Sequence, residues 1–193
     1  VPQLGFIVEN ALLQESLLRE LDATDTELRF GARIESLCRK ARQFHIKLED
    51  GEVLAADLVI GADGARSFVR SAAGIEASEW PYEQTAFVTH LQPEMPHKAT
   101  AWQRFLRTGP LGILPLEDGR VSVVWSTTPE QVKAALDADD EATGRMLSDA
   151  SDYVLGSMQV AGPKGSFPLC ARHATSYVLP NLALIGDAAH AIH

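Results

Sequence analysis

Apolar positions change their period several times along this chain, and each change predicts a different element. Leu13, Leu17, Leu18 and Leu21 recur at helical spacing behind Asn10, a residue type suited to an N-cap. They predict an amphipathic helix over roughly residues 10–22 with one buried face. From Glu27 to Leu48 the period becomes two, with Phe30, Ile34, Phe44, Ile46 and Leu48 set among charges, the pattern of half-exposed strands. Glu49-Asp50-Gly51-Glu52 supplies a turn before the pattern resumes at Val53. Leu58-Val59-Ile60 is an uninterrupted apolar run bounded by Gly61, which predicts a strand covered on both faces. Ser67 then caps a short helix.

Strands return between about Tyr82 and Thr127, separated by Gly109-Pro110 and Asp118-Gly119, and read as an antiparallel layer. Pro129 sits where helices start, and two helices follow over roughly residues 130–155. After Gly162 and Gly165 strands resume and end in the buried run Leu182-Ala183-Leu184-Ile185. The predicted fold is α/β, with a sheet domain inserted between segments of a second, nucleotide-binding-like domain.

Composition narrows the function. The chain has 193 residues, 46% of them hydrophobic and 22% charged, which is globular and excludes a disordered or fibrous class. Its 17 Lys+Arg against 26 Asp+Glu give a formal charge of −9, so nucleic acid is not the expected partner. No apolar run approaches the ~18 residues of a membrane span. Cys38 and Cys170 lie far apart with no Cys or His at metal-ligand spacing, so no metal is expected and a reducing, cytoplasmic setting fits. The histidines show no HExxH spacing, and Asp137-Ala138-Asp139-Asp140-Glu141 reads as a solvated helix junction.

One local design occurs twice. Asp57-Leu58-Val59-Ile60-Gly61-Ala62-Asp63-Gly64 and Asn181-Leu182-Ala183-Leu184-Ile185-Gly186-Asp187-Ala188 each run a strand into glycine and place a carboxylate at the strand's C-terminal end. Open α/β sheets bind ligands at that edge. A carboxylate there can accept hydrogen bonds from a ribose diol. Helices predicted after both junctions, opened by Ser67 and by Ala188-Ala189-His190, would turn backbone N–H groups toward a phosphate.

Gly61-Ala62-Asp63-Gly64-Ala65-Arg66-Ser67-Phe68-Val69-Arg70 resembles the second fingerprint of the FAD-dependent aromatic hydroxylases (class A flavoprotein monooxygenases), and Gly186-Asp187-Ala188-Ala189-His190 resembles their third. Ala101-Trp102-Gln103-Arg104-Phe105-Leu106, Gly109-Pro110-Leu111, Leu114-Pro115-Leu116 and Ala191-Ile192-His193 are most similar to the ubiquinone-biosynthesis hydroxylases within it. The resemblance implies a partial three-layer FAD/NAD(P)-binding domain over residues 1–78 and 169–193, with an inserted antiparallel-sheet substrate domain of α+β type over 79–168. It implies that Asp187, with Gly186 and Ala188, accepts FAD hydroxyls. Asp63, with Gly64, Arg66 and Ser67, would serve flavin and NAD(P)H, Gln14 would meet the flavin phosphates and His190 would line the flavin site. The sheet from Tyr82 to Thr127 would roof the substrate pocket, and of the adjacent Gln103 and Arg104 only one can look into it.

The implied activity is NAD(P)H- and O2-dependent hydroxylation of a polyprenylated phenol, near the inner membrane that holds this lipid-like substrate or in a biosynthetic complex. The alternatives are a small soluble aromatic substrate or a non-catalytic ligand-binding module. No two glycines stand two positions apart, so the family's first fingerprint, G-x-G-x-x-G, is expected upstream of Val1. The 193 residues are then an internal piece, expected to bind FAD weakly or not at all alone.

Overall fold

The computed structural model describes residues 5–192. Along the chain, α1 (Asn10–Leu21) precedes β1 (Ile34–Lys40), β2 (Gln43–Leu48), β3 (Val53–Ala56), β4 (Val59–Gly61) and the short α2 (Phe68–Ala72). The long β5 (Ala77–Pro93) leads to β6 (Trp102–Leu106), β7 (Gly109–Pro115), β8 (Val121–Thr127), α3 (Pro129–Asp137) and α4 (Asp140–Ala150). Then come β9 (Met158–Val160), β10 (Gly165–Ala174), β11 (Val178–Leu179), β12 (Leu182–Leu184), a 3-10 turn at Gly186–Ala188 and β13 (His190–Ala191). Two compact units result: the N-terminal segment through Thr26 with Glu83–Leu169, and Glu27–Tyr82 with the segment from Cys170 onward.

In the first unit β9, β5, β8, β7 and β6 pair antiparallel in that order, with Leu91 opposite both Val121 and Val160. Strand alternation sends Phe87, Leu91, Leu111, Ile113, Val121, Val123 and Trp125 to one face, where they bury against Val132, Ala135 and Leu147 of the two helices. The helices start where local chemistry dictates. Thr128 accepts from the Gln131 N–H with Pro129 at the first position, and Asp139 accepts from the Ala142 N–H. Gly144 lets α4 approach β9, since a Cβ there would lie 2.4 Å from the Met158 carbonyl oxygen.

The second unit holds the β1-β2-β3 meander and a three-stranded sheet in the order β11-β12-β4. Phe44, Val59, Val69, Ile75, Leu182 and Leu184 form its core.

Several elements differ from the sequence expectation. The helix forms where predicted, but Glu9 rather than Asn10 is its N-cap and α1 buries no residue; Leu13 and Leu17 are 51% and 56% exposed. Its apolar stripe has no layer over it among the described residues. Leu58 and Ile60 are more than half exposed, as is Ile185, so β4 and β12 are covered on one face and not on both. Unbroken apolar runs report hydrophobicity, not which neighbour arrives. Phe30 precedes β1 and is exposed, and the turn between β6 and β7 falls at residues 107–108, leaving Gly109-Pro110 inside β7. Gly109 has φ +140°, and a Cβ there would collide with the Ser126 carbonyl. Those demands belong to the strand, not to a turn. After Gly186–Ala188 no helix follows: β13 pairs with β10, His190 opposite His173, and the chain's hydrogen bonds go to that strand.

The close α4 and β9 packing is testable. Gly144→Ala gains helix propensity of up to about 1 kcal/mol. The clash with a backbone carbonyl outweighs it, with overpacking costs of about 1–3 kcal/mol. Urea unfolding should therefore show a net loss of stability; a stabilised variant would contradict the packing.

Candidate functional site

β4 and β12 run parallel with Val59 opposite Leu182, Ile60 opposite Ala183 and Gly61 opposite Leu184. The Ile185 N–H then donates to the Gly61 carbonyl at 2.9 Å. Both strands thus end at the same edge, and each delivers its acidic turn there, Asp63-Gly64 from one and Gly186-Asp187 from the other. Gly61 permits the close pairing, because a Cβ would lie 2.8 Å from Leu184 Cδ2 and 2.9 Å from Val69 Cγ1. Gly64 and Gly186 have φ +80° and +57°, the left-handed region glycine tolerates, and a Cβ at either would meet nothing within 4 Å.

The two carboxylates do different work. Ser67 Oγ donates to Asp63 Oδ1 at 2.5 Å and the Val69 N–H donates to Oδ2 at 3.0 Å. Ser67 in turn accepts from the Arg70 N–H at 2.9 Å. Asp63 and Ser67 together therefore cap α2. Partial burial opposes the Asp63 charge, but the Ser67 hydroxyl and the backbone N–H groups outweigh it and hold the carboxyl below the usual aspartate range. Asp187 is exposed and makes no hydrogen bond among the described residues, leaving its oxygens open to an incoming hydroxyl. Arg66 is also exposed. Ala188 is fully buried and contributes its carbonyl.

That carbonyl is taken by a residue the sequence analysis did not single out. Arg70 is 7% exposed and donates from Nη1 to the Ala188 carbonyl and from Nη2 to the Ala65 carbonyl, both at 2.9 Å. One guanidinium therefore ties the two turns together. The available signal was spacing: Arg70 stands three residues beyond the capping Ser67, on the inward side of the short helix, whereas Arg66 does not.

His190 lies on β13 rather than in a helix, its ring stacked on Tyr177 with centroids 5.6 Å apart. Tyr177 Oη is 2.8 Å from His173 Nε2, and His173 Nδ1 is 3.0 Å from the Ala174 carbonyl. A carbonyl only accepts, so Nδ1 carries the proton and Nε2 receives the tyrosine hydroxyl. Asp63, Gly64, Arg66, Ser67, Gly186, Asp187, Ala188 and His190 all belong to the second unit, while Gln14 is on exposed α1 in the first. Arg104 Nη1 donates to the Ala150 carbonyl at 3.1 Å, at the C-terminal end of α4, so Gln103 takes the opposite sheet face. Among the described residues no cluster of His, Cys, Asp and Glu could hold a metal ion, and no helix is long and apolar enough to cross a membrane.

Two outcomes follow from these bonds. Arg70→Met leaves two carbonyls unpaired and should cost about 2–4 kcal/mol in thermal unfolding, charge-assisted bonds being worth ~1.5–3 kcal/mol each and not fully additive. An unchanged Tm would show that the guanidinium clamps nothing. Because the folded pKa of Asp63 is depressed, its contribution is complete above the unfolded value of about 3.9 and disappears as pH falls through the lower folded value. The stability advantage of the native protein over Asp63→Asn should therefore shrink below pH ~4, and an advantage independent of pH across that range would contradict the capping role.

Residues 7–193 match the FAD binding domain family. The chain is 37% identical over 196 residues to the 3-demethoxyubiquinol 3-hydroxylase of Escherichia coli (strain K12), covering all of this chain and 49% of that protein. It is 37% identical over 191 residues to the ubiquinone hydroxylase UbiL of Rhodospirillum rubrum, covering 98% of this chain and 44% of the relative. Against the mitochondrial ubiquinone biosynthesis monooxygenase COQ6 of Xenopus tropicalis it is 34% identical over 234 residues, covering 98% and 50%. The chain spans about half the length of the curated relatives it matches. Among solved structures, PqsL of Pseudomonas aeruginosa, a probable FAD-dependent monooxygenase, superposes with TM-score 0.74 at 26% identity, over 94% of this chain and 52% of that one. The flavin-dependent monooxygenase PieE shares the fold, with TM-score 0.74 at 18% identity over 95% and 34%. With its paired acidic turns at one parallel strand edge, the chain belongs to the FAD-binding domain family of FAD-dependent monooxygenases and is a homologue of the ubiquinone-biosynthesis hydroxylases.

Proposed function

We propose that the protein carrying this chain hydroxylates the phenolic ring of a polyprenylated ubiquinone precursor, using FAD, NAD(P)H and O2. The observation that carries this reading is the division of labour at the strand edge: Asp63 is spent on capping α2, while Asp187 is exposed and makes no hydrogen bond among the described residues, beside a left-handed Gly186. The residues present fit the cofactor. FAD offers ribityl and ribose hydroxyls, for which a free carboxylate is the natural acceptor, and the space where a Cβ of Gly64 or Gly186 would stand is open to a ligand. Asp187 and Gly186 would hold the hydroxyls, with Arg66 supplying positive charge near Gly64. When bound, FAD would supply the redox chemistry that couples oxidation of NAD(P)H to insertion of one oxygen atom of O2 into the ring, the other atom leaving as water.

The chain's own residues orient and exclude. Arg70 fixes the Ala188 carbonyl, and with it the backbone that carries Asp187. Tyr177 and His173 fix the plane of the His190 ring. The names of the relatives support a ubiquinone-type ring as substrate. A lipid-chain substrate would bring the protein to the surface of the inner membrane from the cytoplasm, and a complex of biosynthetic enzymes would serve the same delivery.

The full-length protein, purified with FAD, should oxidise NAD(P)H faster when a prenylated phenol is added and should return the hydroxylated ring by mass spectrometry. Stimulation by small soluble phenols alone would transfer the activity to that substrate class. Bound FAD with no NAD(P)H oxidation under any phenol would leave a binding module. Asp187→Ala removes an ionic hydrogen bond of ~1.5–3 kcal/mol, so FAD affinity should fall by roughly 10- to 150-fold. Unchanged flavin occupancy in dilution would remove Asp187 from the site.

A further inference from the structure

β9 pairs with β5 alone among the described residues, with Val160 opposite Leu91 and Met158 opposite Pro93. The Glu94 N–H donates to the Ser157 carbonyl at 2.9 Å and the Ala161 N–H to the His90 carbonyl at 2.8 Å. Antiparallel pairs alternate, so residues 157, 159 and 161 turn their amides toward β5, and Met158 and Val160 turn theirs away. Met158 uses its N–H on Ser148 Oγ at 2.9 Å, and its carbonyl lies against Gly144 of α4. The Val160 N–H and carbonyl make no hydrogen bond among the described residues. One outward amide pair of this strand edge is therefore open.

Beside it an open groove of about 400 Å³ runs between α4 and β9, within the size range of ligand sites. Met158 and Val160 line it from the strand, Asp140, Glu141 and Arg145 from the helix, and Tyr153 from the connection between them. Asp152 and Tyr153 are consecutive left-handed residues, with φ 61° and 52°. Asp152 ends α4: its N–H donates to the Asp149 carbonyl and the Tyr153 N–H to the Ser148 carbonyl. That closure needs one left-handed residue, not two. The second sets the Tyr153 ring, 48% exposed, in the groove wall.

The surroundings are acidic, with seven Asp and Glu against two Lys and Arg over residues 129–160. Arg145 reaches Glu141 at 3.2 Å and Lys164 reaches Asp140 at 3.7 Å, yet the two carboxylates are 81% and 73% exposed and keep open sides for a further cation. A second copy of this surface would be repelled, whereas a basic chain is attracted.

We propose that the groove between α4 and β9 is a docking site for an extended basic peptide segment of a partner protein. Its backbone pairs with the Val160 N–H and carbonyl, one apolar side chain packs on Tyr153, and a lysine or arginine meets Asp140 and Glu141. The amide pair selects an extended backbone and the carboxylates select its charge. None of the residues at the β4 and β12 edge takes part, so the inference is independent of the function proposed above.

The test uses the full-length protein with FAD and a fluorescein-labelled, amidated Lys-Val-Lys-Val-Lys peptide as probe, read by anisotropy, with Glu-Val-Glu-Val-Glu as control. The native protein should bind the probe saturably, more weakly as salt is raised, and should not bind the control. Val160→Pro removes an outward N–H and no ladder bond, so it should fold and weaken the probe by about 3- to 10-fold. Asp140→Asn combined with Glu141→Gln should weaken it by about 2- to 20-fold. A probe carrying a benzophenone should cross-link within residues 140–160, located by mass spectrometry. Absence of saturable binding, equal binding of the control, affinity unchanged in both variants, or cross-links elsewhere each overturn the proposal. Should Val160→Pro fail to fold, the carboxylate variant and the cross-link decide it.

Discussion

The parallel pairing of β4 with β12, with Gly61 held against Leu184, is the constraint from which the rest of the site follows. Parallel neighbours end at the same edge, so two turns separated by more than a hundred residues of chain are delivered side by side. A side chain at position 61 would push the strands apart, and the Ile185 N–H would lose the Gly61 carbonyl. Arg70 completes the arrangement by bonding a carbonyl from each turn.

Within that frame the two carboxylates have separated in role for a physical reason. Asp63 precedes a helix with unpaired N–H groups, and those groups are the strongest donors within reach. Asp187 precedes a strand whose N–H groups pair with β10, so no backbone donor claims it, and its local partner is the charge of Arg172 on that strand, which is itself hydrogen-bonded to Glu79. The same residue type at the same kind of strand end therefore serves the fold in one case and remains available to a ligand in the other.

What could be read from the sequence was local. Ser67 caps α2 because a hydroxyl just ahead of free N–H groups has one obvious use, and Pro129 opens α3 because its fixed φ suits the first helical position, whereas the caps Thr128 and Asp139 went unread. The repeated strand-glycine-acid design was visible for the same reason. What could not be read depends on partners distant in the chain. Leu58, Ile60 and Ile185 look like core, yet which face of a sheet is covered is decided by what packs there. Ala189 and His190 could open a helix, and β10 recruits them into a strand instead. Gln103 and Arg104 were indistinguishable until the end of α4 appeared beside one of them. Arg70 stood in the quoted motif, but its value comes from a carbonyl 118 residues away.

The most direct measurement is a crystal structure of the full-length protein with FAD bound. The account predicts an Asp187 carboxylate oxygen about 2.7 Å from a ribityl or ribose hydroxyl, with Arg70 still bonded to the Ala188 carbonyl and Asp63 still bonded to Ser67. FAD seated away from the β4 and β12 edge, with Asp187 in solvent, would contradict it.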